Sequence, residues 1–111
     1  MNAELAHEKN FNVLVVDDEV DLVDIMKDFL CLEGYEVMTA QHGLEAIAVM
    51  EKHQFDIVLS DIRMPKMDGV EFLKVAKKKW PDTVYIFLTG YSDYSEEEII
   101  QLGARNLFSK P

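Results

Sequence analysis

The stretch VLVVDDEVD, residues 13–21, is the most informative part of the sequence for both the fold and the functional site. Its apolar half is typical of a strand buried inside a protein, but it ends abruptly at Asp17 and Asp18, with Glu19 and Asp21 close behind. Two like unit charges about 4 Å apart repel by roughly 4 kcal/mol at an effective dielectric constant near 20. We therefore expect a bound cation near these carboxylates to offset the repulsion.

The composition indicates one globular domain. The chain has 111 residues, of which 49% are hydrophobic and 29% are charged, which argues against disorder. The net charge of -10 argues against direct nucleic acid binding, because phosphate backbones require clustered Lys and Arg. Cys31 is the single cysteine, which excludes an intrachain disulfide, and we predict that it is buried. No apolar stretch is typical of a membrane span or a signal peptide, so we predict a cytoplasmic protein.

Short apolar runs predict five strands, separated by stretches with helical spacing. The strands are predicted at residues 11–16, 35–40, 56–60, 83–89 and 105–109. All of them except 35–40 are expected to be buried on both faces. In the first helix, the spacing places Ile25 and Phe29 toward the core, and Gly34 ends the helix. Ser95 and Glu98 fit a capping box of a short last helix. Strands that alternate with helices predict an α/β fold with a parallel sheet.

Polar residues follow the strands at their carboxyl ends. Asp17 and Asp18 follow the first strand, Asp61 the third, Thr89 ends the fourth, and Lys110 follows the fifth. In a parallel sheet these ends share one edge, where ligands bind. If the first and third strands are neighbours, their aspartates converge on one crevice that suits Mg²⁺. Mg²⁺, a lysine and a hydroxyl around one more carboxylate are suited to phosphoryl transfer that forms an aspartyl phosphate.

Four motifs, in this order, carry a family resemblance. They are VVDDE at 15–19, DIRMPKMDG at 61–69, FLTG at 87–90 and SKP at 109–111. With them the sequence resembles the receiver domain of two-component response regulators. The resemblance implies a flavodoxin-like fold, which is a doubly wound parallel five-stranded sheet with strand order 2-1-3-4-5.

The resemblance covers residues 11–111, and we expect residues 1–10 to be a flexible leader. The family continues into a fifth helix after the lysine and proline, so we expect that the sequence is cut short of this helix at Pro111. An apolar face beside the first and fifth strands would then be exposed. The alternative is that a second subunit covers this face.

The resemblance implies that Asp61 is the phosphoacceptor and that Mg²⁺ is the cofactor. Asp18 and Asp61 would bind the ion directly, together with the backbone carbonyl of Arg63. Asp17 would act largely through a coordinated water.

The resemblance also assigns roles around the phosphoryl group. Thr89 would hydrogen-bond this group, and Lys110 would pair with one of its oxygens. The family typically holds the bond after this lysine in the cis form, so we expect a cis Lys110–Pro111 bond. Arg63 and Tyr91 stand two positions after Asp61 and Thr89, and we expect them to slow the hydrolysis of the aspartyl phosphate.

Two departures from the family pattern concern the switch. Leu107 stands where the family usually has an aromatic residue, with Phe108 beside it, so Thr89, Leu107 and Phe108 are the switch candidates. TGYSDYS at 89–95 is an alternative carrier of the signal. The segment 89–103 is about one residue shorter than usual, which predicts a short or partly irregular fourth helix.

The function implied is a signalling switch rather than a turnover enzyme. It would accept a phosphoryl group from a histidine kinase or phosphotransfer protein and act on an output domain or protein, with a homodimer possible. A receiver-like interaction module that does not use phosphorylation is the alternative. A flavin-binding protein is less consistent, because that chemistry favours a Ser/Thr/Gly-rich loop after the first strand. An aspartate-based phosphatase is also less consistent, because the DxDxT pattern is missing.

Overall fold

A computed structural model describes residues 11–90 and 94–109. Strands and helices alternate along these residues. The strands are β1 (Asn12–Val16), β2 (Glu36–Ala40), β3 (Ile57–Ser60), β4 (Val84–Thr89) and β5 (Asn106–Ser109). The helices are α1 (Val20–Leu32), α2 (Gly43–Lys52), α3 (Gly69–Lys79) and α4 (Glu96–Gln101). The expected leader at residues 1–10, Tyr91 and the Lys110–Pro111 bond lie outside the described residues.

The five strands form one parallel sheet with the order β2-β1-β3-β4-β5, which confirms the predicted fold class. β1 and β3 are neighbours, and Val16 pairs with Ser60 at their carboxyl ends. The backbone N–H of Asp61 extends this ladder by donating to the carbonyl of Val16 at 2.9 Å. The register therefore brings Asp17 and Asp61 to the same edge of the sheet.

The two faces of the sheet carry cores of different size. Successive side chains of a strand point to opposite faces. In β1, Leu14 and Val16 belong to the larger core, which also includes residues of α2, α3 and α4. Val13 and Val15 point to the other face, where they form the smaller core with Val23 of α1. The larger core therefore fixes three of the four helices, and α1 alone, among the described helices, contributes to the smaller core.

The predictions for α1 were partly wrong. Ile25 and Phe29 are 65% and 62% exposed, and Cys31 is exposed rather than buried. The side of α1 that faces the sheet runs through Val23, which is buried, and Met26, which is half-buried. The apolar residues of α1 therefore occupy a wider part of the helix surface than the part that contacts the sheet. Ile25 and Phe29 lie outside the contacting part.

Burial on both faces was correct for β1 but wrong for β3, β4 and β5. In β4, Tyr85 and Phe87 are buried in the larger core, whereas Ile86 and Leu88 on the opposite face are only half-buried. Phe108 of β5 is 49% exposed. Among the described residues, α1 packs against side chains of β1, β2 and β3. The side chains of β4 and β5 on the same face are therefore less buried.

The helix ends follow their sequence signals. Gly34 after α1 and Gly103 after α4 have φ of 98° and 116°, a region that glycine adopts readily. Ser95 and Glu98 form the predicted capping box, in which each side chain accepts a hydrogen bond from the other residue's backbone N–H. The predicted short fourth helix is also confirmed, since α4 has six residues.

Tyr85 anchors the end of α3 to the sheet. Its side chain is 1% exposed, and its hydroxyl lies 3.1 Å from the carbonyl of Ala76 and 3.0 Å from that of Trp80. Burial raises the pKa of Tyr85 to about 12, and a hydrogen bond with the Thr83 side chain opposes this shift in part. The folded protein therefore keeps the phenol neutral at a pH where the unfolded chain ionises it.

This difference predicts a loss of stability in alkaline solution. The unfolded chain releases the Tyr85 proton near pH 10 and the folded chain near pH 12, so the stability falls as the pH rises between these values. We expect the free energy of unfolding to drop from pH 9 to pH 11 by about 1 kcal/mol more in the wild type than in Tyr85→Phe. Urea denaturation at the two pH values measures this, and equal drops would contradict it.

Candidate functional site at the carboxyl edge of the sheet

Three carboxylates meet at the carboxyl edge of the sheet. Oxygens of Asp17, Glu19 and Asp61 lie within 4.8 Å of one another. Asp17 and Asp61 are only 4% and 7% exposed, whereas Glu19 is exposed. The strand register explains this meeting, because Asp17 and Asp61 directly follow the paired ends of β1 and β3.

Backbone N–H groups hold two of these carboxylates in place. The N–H of Glu19 donates to Oδ1 of Asp17 at 3.0 Å, and the N–H of Ile62 donates to Oδ1 of Asp61 at 2.7 Å. Carboxylates this close repel each other, and a hard divalent cation offsets such repulsion while accepting carboxylate oxygens as ligands. The chemistry of the donor set therefore fits Mg²⁺.

Glu19 is a member of this cluster that the sequence analysis did not assign to the site. Asp18, predicted as a direct ligand, is exposed and lines the adjacent cavity instead of belonging to the cluster. Asp18 lies at a bend between Asp17 and Glu19, and the N–H of Glu19 donates to Oδ1 of Asp17, so the turn of the chain brings Glu19 beside Asp17. The acidic run that continues through Glu19 in VVDDE was the signal that could have found it.

A cavity of about 490 Å³ lies beside the cluster. Three segments at the carboxyl edge form its wall, following β1, β3 and β4. The lining residues are Asp18, Ile62, Arg63, Met64, Pro65, Asp68 and Tyr94. The structure thus brings the predicted site residues Asp18 and Arg63 to one cavity. Tyr94 is a further aromatic wall residue, which the sequence analysis included only as part of TGYSDYS at 89–95.

Thr89 and the switch candidates lie on β4 and β5. Thr89 is the last residue of β4, is 8% exposed and pairs with Ser109 of β5. Leu107 is half-buried against the larger core, whereas Phe108 is exposed. Lys110 lies outside the described residues, so its predicted contact with the phosphoryl group stays a prediction. The switch roles of the other three also stay predictions.

The loop that follows Asp61 is held tightly at both ends. The N–H of Gly69 donates to the carbonyl of Ile62 at 2.7 Å, which closes the loop. Asp68 and Glu71 form a capping box that starts α3 directly after it. A Cβ atom on Gly69 would lie 2.7 Å from Cε1 of Phe87 and still closer to the carbonyl oxygen of Asp61. Only glycine fits this position without a displacement of the loop.

Comparison with known proteins identifies longer relatives. The chain is 38% identical over 101 residues to the transcriptional regulatory protein ZraR of Klebsiella oxytoca, which covers 90% of this chain and 23% of that protein. It is 36% identical over 101 residues to the response regulator SaeR of Staphylococcus aureus strain USA300, which covers 90% of this chain and 44% of that protein. The chain therefore spans less than half the length of both relatives.

Solved structures share the fold. A chain of the CheX–CheY–BeF₃–Mg²⁺ complex from Borrelia burgdorferi superposes with a TM-score of 0.86 at 32% identity, over 91% of this chain and 78% of that one. In the described part of this chain, every helix is too short or too polar to cross a membrane. The family described as response regulator receiver domain matches residues 13–111, nearly the whole chain. The chain therefore belongs to the response regulator receiver domain family.

Proposed function

We propose that this receiver domain is a phosphorylation switch in which Asp61 accepts a phosphoryl group from a histidine kinase or phosphotransfer protein. The observation that carries the proposal is the meeting of Asp17, Glu19 and Asp61 within 4.8 Å at the ends of neighbouring strands. This arrangement supplies both a nucleophilic carboxylate and a site for the divalent cation that phosphoryl transfer needs. The aspartyl phosphate then changes a surface that an output domain or protein recognises.

Asp61 would act as the nucleophile. A carboxylate is ionised at neutral pH, so it attacks without a general base. One of its oxygens forms a bond to phosphorus while the phosphorus–nitrogen bond of the donor phosphohistidine breaks, and the imidazole leaves with the electron pair. The N–H of Ile62 orients the carboxylate through its hydrogen bond to Oδ1.

Mg²⁺ would be held by the carboxylates of this edge. We assign Asp17, Asp18, Asp61 and the backbone carbonyl of Arg63 to it; Asp17 and Asp61 belong to the carboxylate cluster, whereas Asp18 and Arg63 line the adjacent cavity. Glu19, the third member of the cluster, adds negative charge beside them. When bound, Mg²⁺ supplies charge stabilisation for the phosphoryl oxygens in the transition state.

Two further groups would hold the phosphoryl group. Thr89, buried at the end of β4 and therefore at the carboxyl edge, would hydrogen-bond the phosphoryl group, and Lys110 would pair with one of its oxygens. Arg63, which lines the cavity, and Tyr91 are proposed to slow hydrolysis of the aspartyl phosphate.

The proposed partners are a histidine kinase or phosphotransfer protein and an output domain or protein. The relatives are named as a transcriptional regulatory protein and a response regulator, and both extend well beyond the region that this chain matches. This supports an output domain or protein as the recipient of the signal. We propose that the domain acts in the cytoplasm as a switch rather than as a turnover enzyme.

Incubation with acetyl phosphate tests the proposal. With Mg²⁺ present, intact mass spectrometry of the folded chain is expected to show a gain of one phosphate. Without Mg²⁺ and with EDTA, this gain is expected to disappear, because the phosphoryl oxygens then lack the cation. A folded protein that gains no phosphate with Mg²⁺ would contradict the switch and favour the phosphorylation-independent interaction module.

A further inference from the structure

Tyr94 is the one aromatic residue that lines the 490 Å³ cavity beside Asp61, among the residues that the structure describes. The cavity is large enough for on the order of ten water molecules, since each occupies about 30 Å³ in the liquid. Tyr94 is 36% exposed, so most of its surface is covered. Arg63 and Pro65 of the loop after β3 line the same cavity.

The chain holds Tyr94 in place through the start of α4. Ser95, the next residue, is the N-cap of α4, and its backbone N–H donates to Oε1 of Glu98 at 2.8 Å. The N–H of Glu98 donates to Oγ of Ser95 at 3.1 Å. These two reciprocal bonds fix the backbone at Ser95, directly beside Tyr94.

We propose that Tyr94 restricts the access of water to the phosphoryl group on Asp61 and thereby sets the lifetime of the phosphorylated state. This inference rests on the proposed phosphorylation of Asp61. Hydrolysis forms a bond between a water oxygen and phosphorus and breaks the bond between phosphorus and the Asp61 oxygen. The carboxylate leaves with the electron pair, and the water proton passes to the released phosphate or to solvent.

An aromatic ring on the wall opposes this step by occupying space that water would otherwise fill. Exclusion of water protects reactive intermediates from hydrolysis. Arg63, proposed above to slow the same step, lines the wall from the loop after β3, and Tyr94 adds a rigid ring from the segment directly before α4. Tyr94 is assigned as a residue that limits access, not as a catalytic residue.

Decay of the phosphorylated chain tests this role. Wild type, Tyr94→Ala, Tyr94→Phe and Ile100→Ala are phosphorylated with acetyl phosphate and Mg²⁺, the donor is removed, and phosphate loss is followed by intact mass. We expect Tyr94→Ala to lose phosphate at least roughly threefold faster than wild type. Tyr94→Phe is expected to keep the slow decay, because the ring remains. Ile100→Ala is the matched control, since Ile100 is an exposed apolar residue of α4 that does not line this cavity.

A second measurement separates restricted access from a general structural effect. The rise in melting temperature on Mg²⁺ addition is expected to be equal in wild type and Tyr94→Ala, because Tyr94 is not one of the carboxylates. Wild-type decay in Tyr94→Ala, or fast decay in Tyr94→Phe, would overturn the role of the ring while leaving the phosphorylation of Asp61 intact. A wild type that takes up no phosphate would overturn both proposals together.

Discussion

Asp61→Asn is expected to take up no phosphate from acetyl phosphate and Mg²⁺, under conditions in which the wild type is phosphorylated. The amide keeps the shape of the side chain, and its oxygen can still accept the hydrogen bond that the N–H of Ile62 gives to Oδ1 at 2.7 Å. What it loses is the ionised oxygen that attacks phosphorus. The effect is therefore a complete loss of one phosphate in the intact mass, with the fold preserved.

Asp82→Asn is the matched control for this experiment. Asp82 is exposed and precedes β4, so it lies toward the opposite edge of the parallel sheet. This variant is expected to take up phosphate at the wild-type rate. The free energy of unfolding of Asp61→Asn without Mg²⁺ is expected to be no lower than that of wild type, because one of three neighbouring carboxylates is neutral. A phosphate on Asp61→Asn at the wild-type rate would place the phosphoacceptor elsewhere.

Gly69→Ala is expected to lower the free energy of unfolding by about 3 kcal/mol, a large part of the 5–15 kcal/mol typical of a domain. The added Cβ would lie 2.8 Å from Cα of Ile62 and 2.7 Å from Cε1 of Phe87, and closer still to the carbonyl oxygen of Asp61. Two of these atoms belong to the backbone of the loop, so no rotation of a side chain relieves the overlap. Urea denaturation at neutral pH measures the loss.

Gly34→Ala separates this overlap from the general effect of replacing a glycine. Gly34 has a φ of 98°, but a Cβ there would have no atom within 4 Å. Only backbone strain of about 1–2 kcal/mol is then expected. The Gly69 variant should also take up phosphate more slowly than the Gly34 variant, because its overlap displaces the backbone of Asp61. Equal destabilisation in the two variants would contradict the predicted overlap between the Cβ at position 69 and its neighbouring atoms.

The parallel sheet and its carboxyl edge could be predicted because a few residues determine them. Runs such as 11–16 predict buried strands, and helical stretches between them require parallel pairing, which places the ends of all strands at one edge; Asp17 and Asp61 meet there because β1 and β3 are neighbours. The resemblance to receiver domains then supplied the order of the strands, which apolar periodicity alone does not determine.

The finer geometry of the cluster was not predictable in the same way. Asp18 and Glu19 are neighbours in sequence, and only the backbone dihedral angles at the end of β1 decide which of them turns toward Asp17 and Asp61. The position of Tyr94 depends on how the segment after β4 meets the start of α4. Both are tertiary properties that composition and spacing leave undetermined.

The burial of α1 shows a related limit of sequence patterns. Apolar residues at helical spacing indicate a face suited to packing, but the packing surface must also reach that far. Ile25 and Phe29 satisfy the pattern and are nevertheless more than 60% exposed, because the stripe that contacts the sheet is narrower. Cys31 is exposed for the same reason, because it also lies outside the part of α1 that contacts the sheet.

The exposed thiol of Cys31 makes the domain convenient for fluorescence work. It is the single cysteine of the chain, so a maleimide dye attaches at one position without any engineering. Cys31 lies eleven residues beyond the first residue of α1, Val20, which corresponds to about 16 Å along the helix axis. A dye at this position would report the capture of a kinase as slower tumbling, measured by anisotropy.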